Sequence, residues 1–167
     1  MSYRLRPATL DDVDVLVHHR VGMFTDMGVP LDAPALQAAF RAWLAEMMPS
    51  GTYRAWLVEA YADQAEAASG ANGVSGVVVA GGGITILPWP PGQLSMTGRL
   101  AFAYNVYTEP AHRSRGVGRL IMEAIHGWCR QNGIDAVGLN ASTKGLRLYQ
   151  SMGYHATASP MMFLALK

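Results

Sequence analysis

Between residues 109 and 129 the chain reads EPAHRSRGVGRLIMEAIHGWC, in which three arginines, Arg113, Arg115 and Arg119, flank two glycines, Gly116 and Gly118. Apolar residues then recur at Val117, Leu120, Ile121, Ala124, Ile125, Trp128 and Cys129, the i, i+3, i+4 spacing of a helix that buries one face. A helix start fixed in this way points unpaired N–H groups and the positive end of its dipole outward. Glycines at its threshold tolerate positive φ and close approach, so successive amides can converge into a nest. Such a turn suits a phosphate or a pyrophosphate, with guanidinium groups adding charge and bidentate hydrogen bonds. A turn of this kind can also serve chain reversal alone. It is not a Walker loop, because no Gly-Lys-Ser/Thr follows, and the spacing of a dinucleotide fingerprint is absent.

Other reactive residue types are scattered. His18 and His19 are adjacent on a helical pattern, so they diverge by about 100° and cannot form the i, i+4 pair of a metal site. They read as surface or pocket-lining groups. His112, His126 and His155 are dispersed, and with one cysteine no metal-ligand cluster is expected. Cys129 falls on the apolar helix face and reads as core. Of the ten methionines, Met23, Met27, Met47 and Met48 suit either helix packing or an adaptable pocket.

The elements that must position these groups follow from the rest of the chain. At 167 residues, 50% hydrophobic and 15% charged, it has the length and apolar content of a single domain spanning 1–167, and disorder is excluded. No apolar run approaches the roughly 20 residues that span a bilayer. The opening MSYRLRPATLDD lacks the apolar core of a secretion signal, and a lone cysteine forms no internal disulfide, so a cytoplasmic location is expected. A net charge of +1 provides no broad basic field for nucleic acid, and an anion must be held locally.

YRLRPAT alternates like a strand, and Thr9 can cap a helix through Val13, Leu16, Val17, Val21 and Phe24. Asp32 can cap a second helix, APALQAAFRAWLAEMM, stopped by Pro49 and Gly51. TYRAWLVEAYA reads as an alternating strand, and the Ala/Gly/Ser-rich residues 62–73 as a loose turn. GVSGVVVAGGGITIL predicts a strand with a bulge or tight bend near Gly81–Gly83, and RLAFAYNVYTEP a central strand covered on both faces. A helix over 117–131, a strand DAVGLNAS, a helix KGLRLYQSMG and a final extended run YHATASPMMFLALK complete an α/β layered architecture with a mixed sheet.

With these elements in place, the chain resembles the GNAT superfamily of N-acetyltransferases. The family's Arg/Gln-x-x-Gly-x-Gly/Ala motif is matched by Arg113, Gly116 and Gly118, and LRLYQSMGY looks like its later Leu-Tyr-x-x-x-Gly-Phe/Tyr signature. YRLRPATLDDVDVL is similar to its first strand and helix. The resemblance implies a mostly antiparallel sheet of six to seven strands, splayed between strands 4 and 5 and flanked by about four helices. It also implies acetyl-CoA as cosubstrate, no metal, a small amine-bearing acceptor, and a homodimer through an edge strand or the last strands.

By the same resemblance, Val106, Tyr107 and Thr108 would pair with the pantetheine arm, and Arg113, Ser114, Arg115, Gly116, Val117, Gly118 and Arg119 would hold the pyrophosphate. Tyr149 matches the tyrosine that protonates the departing thiolate, as a phenol with an ordinary pKa of about 10 can. Read without the family, Tyr149 is equally a core aromatic beside Leu146 and Leu148. Ser142 stands where many members carry a cofactor-binding asparagine, and could replace part of its bonding. Strand-four carboxylates that act as general base in some members have no counterpart in RLAFAYNV. Glu109, Glu59, a relayed water or an amine already neutral in a desolvated pocket are the alternatives, with Glu109 equally a solvated turn residue. Phe24, Met27, Phe40, Trp43 and the loop LPWPPGQLSM are candidates for the acceptor pocket. A non-catalytic CoA-binding sensor on the same fold and a plain nucleotide-binding domain are the rival readings.

Overall fold

The computed structural model describes residues 1–62, 76–158 and 162–166. Its elements run β1 (Ser2–Pro7), α1 (Val13–Asp26), α2 (Ala33–Met47), β2 (Tyr53–Tyr61), β3 (Val77–Pro88), β4 (Arg99–Thr108), α3 (Val117–Gln131), β5 (Val137–Leu139) and α4 (Leu146–Ser151). Short 3-10 turns at Leu10–Asp12 and Pro110–His112 precede α1 and α3. Both predicted caps form. The Thr9 side chain accepts from the Asp11 amide while Asp12 reaches back to the Thr9 amide, and Asp32 Oδ1 accepts from the Ala35 amide at 3.0 Å.

The sheet has five strands in the order β1-β2-β3-β4-β5, antiparallel except for β4 and β5. Those two run parallel because α3 carries the chain back across the sheet between them. The expected six to seven strands are thus five among the described residues. DAVGLNAS yields only the three-residue β5, which offers a following strand little edge on which to pair. The described part of YHATASPMMFLALK accordingly joins no sheet, and Met162, Phe163, Leu164 and Leu166 are exposed. Of the residues read as a loose turn, 62–73, all but the first lie outside the described ones.

β2 was expected to alternate, yet it is buried on both faces except at Arg54. Its Trp56, Val58 and Ala60 join the core under α3 with Ile121, Met122 and Ile125. Its Tyr53, Ala55 and Leu57 join a second core with Leu16, Val17, Phe40 and Leu44 of α1 and α2. The period of two feeds two cores, because helices cover both faces.

β4 pairs with β5 from Ala101 to Ala103, and among the described residues no strand pairs with Tyr104 through Thr108 on that side. This is the expected splay. The irregularity expected near Gly81–Gly83 falls there in the ladder with β4, the extra residue lying on β4: Asn105 and Val106 together oppose Gly82, and Asn105 takes a left-handed φ of 55°. Gly81–Gly83 are needed for close approach. A Cβ on Gly81 would lie 2.8 Å from His19 Nδ1 of α1, and one on Gly82 would lie 2.7 Å from Ile121 Cγ2 of α3. Gly82→Ala should therefore lower folding stability by about 1–3 kcal/mol through overpacking, read from the urea midpoint at unchanged slope. An unchanged midpoint would contradict the close approach of α3.

Candidate active site

After Thr108 the chain turns through Pro110–His112 into α3, whose start is held by the buried Val117 and Ile121. Ser114 and Gly116 both adopt left-handed backbone, at φ 59° and 81°. The amides from Ser114 through Arg119 find no acceptor among the described residues, and the first one bonded within the helix is that of Leu120, to Gly116 O at 3.1 Å. These amides stand at the positive end of the α3 dipole. Gly116 serves by its φ. Gly118 serves by proximity, since a Cβ there would lie 3.2 Å from Leu148 Cδ2 on α4.

The turn forms one wall of a cleft of about 820 Å³, bounded by the open end of β4, the end of α1 and the start of α4. Val106, Tyr107, Thr108, Arg113, Ser114, Gly116, Val117, Gly118, Arg119 and Ser142 all line it. Arg115 does not, because its exposed side chain leaves the turn toward solvent. The arginines are also less available than their spacing suggests. Arg113 donates from Nε to Thr108 O at 2.8 Å and pairs through Nη2 with Asp26 of α1. Arg119 Nη2 donates to Ser151 Oγ at 2.6 Å. The polar groups of this cleft wall that remain free are thus chiefly the main-chain amides. Ser142 Oγ accepts from the Gly145 amide at 3.2 Å, which leaves its own proton free.

The lining residues absent from the sequence reading include Asp26 and Lys144, whose Nζ donates to Asp26 O at 3.4 Å. Neither belongs to a motif, and they meet only because α1 ends beside α4. Tyr149 is buried behind the cleft wall, edge-on to Tyr154 with ring centroids 5.8 Å apart, and no described residue bonds its hydroxyl. Burial raises its pKa, so the phenol holds its proton at neutral pH.

A second cavity of about 370 Å³ opens at the β4 bulge, on the α1–α2 side. Phe40 and Trp43 line it as expected, stacked at 5.6 Å. Phe24 lies instead under Arg20, Met27 lines the first cleft, and LPWPPGQLSM takes no part in either. Arg20, Tyr104 and Asn105 complete the cavity, and no sequence motif marks them. Consecutive residues, Asn105 and Val106, therefore line different cavities, which have no lining residue in common.

The proposed bases are engaged elsewhere. Glu59 accepts from Arg6 Nε and from the Tyr61 hydroxyl, each at 2.6 Å; burial alone would raise its pKa, but these partners hold it below the usual carboxylate range. Glu109 accepts from His18 Nε2 at 2.8 Å and lines neither cavity. Cys129 is buried in the α3 core, and burial lifts its thiol to about 11. No metal-binding group of histidine, cysteine and carboxylate side chains occurs among the described residues.

A match to the acetyltransferase (GNAT) family model spans residues 35–154. The chain belongs to the GNAT acetyltransferase family. Among solved structures, a GCN5-related N-acetyltransferase from Ralstonia eutropha JMP134 is 28% identical, with a TM-score of 0.82 over 98% of this chain and 99% of that one. A predicted acetyltransferase from Clostridium acetobutylicum, crystallised with acetyl-CoA, is 20% identical with a TM-score of 0.80, covering 98% and 96%. Glucosamine-6-phosphate N-acetyltransferase from Arabidopsis thaliana is 16% identical with a TM-score of 0.67, covering 98% and 99%. Comparison with curated proteins finds no match. Together these show the GNAT fold over nearly the whole chain; the amide turn, and the cleft lining apart from Met23, Asp26 and Met27 of the α1 end, fall inside the family-matched span.

His19, read as surface or pocket-lining, is 1% exposed, and neither ring nitrogen has a hydrogen-bond partner. Burial lowers its pKa from 6.5 to about 4; Glu109 opposes the shift and His18 adds to it. A depressed imidazole binds its proton more weakly in the folded chain than in the unfolded one, so stability is complete above the unfolded value and declines as pH falls. Between pH 6.5 and 4, the wild type should lose on the order of 3 kcal/mol more stability than His19→Leu, measured by urea unfolding at each pH. Parallel pH profiles for the two proteins would contradict the buried, unpaired imidazole.

Proposed function

We propose that this protein transfers the acetyl group of acetyl-CoA to a primary amine carried by a small molecule, amino acid or peptide. The observation that supports this reading most is the run of unbonded amides from Ser114 to Arg119, beside the strand-free edge of β4, in a chain of this family. The cleft of about 820 Å³ suits a nucleotide-sized cosubstrate, with the diphosphate at the amide turn and the thioester arm along Val106–Thr108 toward the bulge.

The cosubstrate supplies an electrophilic thioester carbonyl. The amine enters through the second cavity and meets that carbon at the Asn105–Val106 boundary. Open β4 amides stabilise the oxyanion as the C–N bond forms. The C–S bond then breaks, and Tyr149, kept protonated by burial, delivers a proton to the sulfur. No carboxylate lines the second cavity, so the amine attacks in its neutral form, which desolvation and the nearby Arg20 cation both favour. The amine's surplus proton leaves to solvent, and Tyr149 takes a proton back from solvent after the thiol departs, which restores the enzyme. In this reading no metal takes part, and the protein works in the cytoplasm as a single domain, assembled as a homodimer.

The same lack of a carboxylate favours one rival, a non-catalytic CoA-binding sensor. Free thiol measured with acetyl-CoA and a panel of amines separates the two. The enzyme reading predicts amine-dependent thiol release, with kcat lowered about 100-fold or more in Tyr149→Phe and a smaller change in KM for acetyl-CoA. CoA binding without release for any amine would favour the sensor.

A further inference from the structure

The second cavity holds a cation without a counter-ion. Arg20 reaches into it from α1, its guanidinium 5.1 Å from the Phe24 ring centroid and 4.7 Å from that of Phe40. Nη1 donates to Asn105 Oδ1 at 2.5 Å, a neutral acceptor, and Nε is buried with no partner. Among the described residues no carboxylate pairs with Arg20, whereas Arg6 pairs with Asp12 and Glu59, Arg41 with Asp14, and Arg113 with Asp26. Burial lowers the Arg20 pKa. A desolvated guanidinium with a vacant N–H is incomplete until an anion arrives, and the fork geometry selects a planar carboxylate. The remaining walls, Leu36, Ala39, Phe40 and Trp43, are apolar and aromatic.

We propose that Arg20 binds the carboxylate of the acceptor, which is an amino acid with an apolar or aromatic side chain. The inference rests on the acetyl-transfer reading above. Asn105 separates Arg20 from Val106 and the first cleft, so a carboxylate on Arg20 leaves an amine one carbon away close to the boundary of the two cavities. The side chain fills the Phe40–Trp43 wall. Tyr53, which accepts from Asn105 Nδ2 at 3.3 Å, holds the Asn105 amide in place for Arg20.

The test compares phenylalanine, leucine and methionine with phenethylamine, isoamylamine and 3-methylthiopropylamine, the same bodies without the carboxylate. Wild type should favour the acids in kcat/KM by roughly 10- to 100-fold, the range of a charge-assisted hydrogen bond. In Arg20→Met the acid-to-amine ratio should fall toward one, and in Arg20→Lys it should lie between. A merely structural Arg20, holding the bulge through Asn105, would lower both members of each pair alike, which overturns the proposal. Calorimetric titration of N-acetylphenylalanine and N-acetylphenethylamine with CoA present reads the same preference without turnover. Preferential binding of the acid, lost in Arg20→Met, with no amine acetylated would support the carboxylate site and overturn the acetyl-transfer reading. Turnover of amines without acid preference, or equal or absent binding of the two acetyl compounds, overturns the carboxylate site.

Discussion

The fold depends on how closely two helices approach one stretch of β3 that carries no side chains. At Gly81–Gly83, α1 settles on one face of the sheet and α3 on the other. The depth at which α3 sits decides where its first amides point; the depth at which α1 sits decides where Arg20 and His19 lie. Opposite Gly82 the β4 ladder accommodates an extra residue, just beyond Ala103, the last residue that pairs with β5. The positions of the two cavities thus descend from one packing constraint.

Electrostatics divides the molecule in the same way. Charges with a structural task are paired within the protein: Arg6 joins Asp12 at the start of α1 to Glu59 of β2, and Arg113 joins the end of β4 to Asp26 of α1. At the two cavities several polar groups are left unspent, although Arg113 and Arg119 are engaged. The amides of the α3 turn, the Tyr149 hydroxyl and the Arg20 Nε all lack partners within the described residues. Polar groups left this way in a folded chain are destabilising unless a ligand completes them.

Much of this was legible in the residues, and what was missed has identifiable physical reasons. Local signals read well: Thr9 and Asp32 as caps, the α3 stripe from Val117 to Cys129, and the glycine turn at 116 and 118. Long-range pairing did not. Arg113 reads as a phosphate ligand until its ion pair with Asp26 is known, and those residues come together only through tertiary packing. Asn105 and Arg20 carry no motif, because a β-bulge is a mismatch between two strands and leaves no pattern in either one. The count of six to seven strands came from the family resemblance, whereas a further strand needs an edge to pair with, and β5 supplies three residues.

The account stands on main-chain amides at the α3 start holding a diphosphate. Amide proton and nitrogen shifts of the labelled protein, followed by NMR during titration with CoA, test that directly. The account predicts that Ser114, Arg115, Gly116, Val117, Gly118 and Arg119 shift most and saturate together. Saturable CoA binding that leaves those six amides unmoved, with the largest shifts elsewhere in the chain, would contradict it.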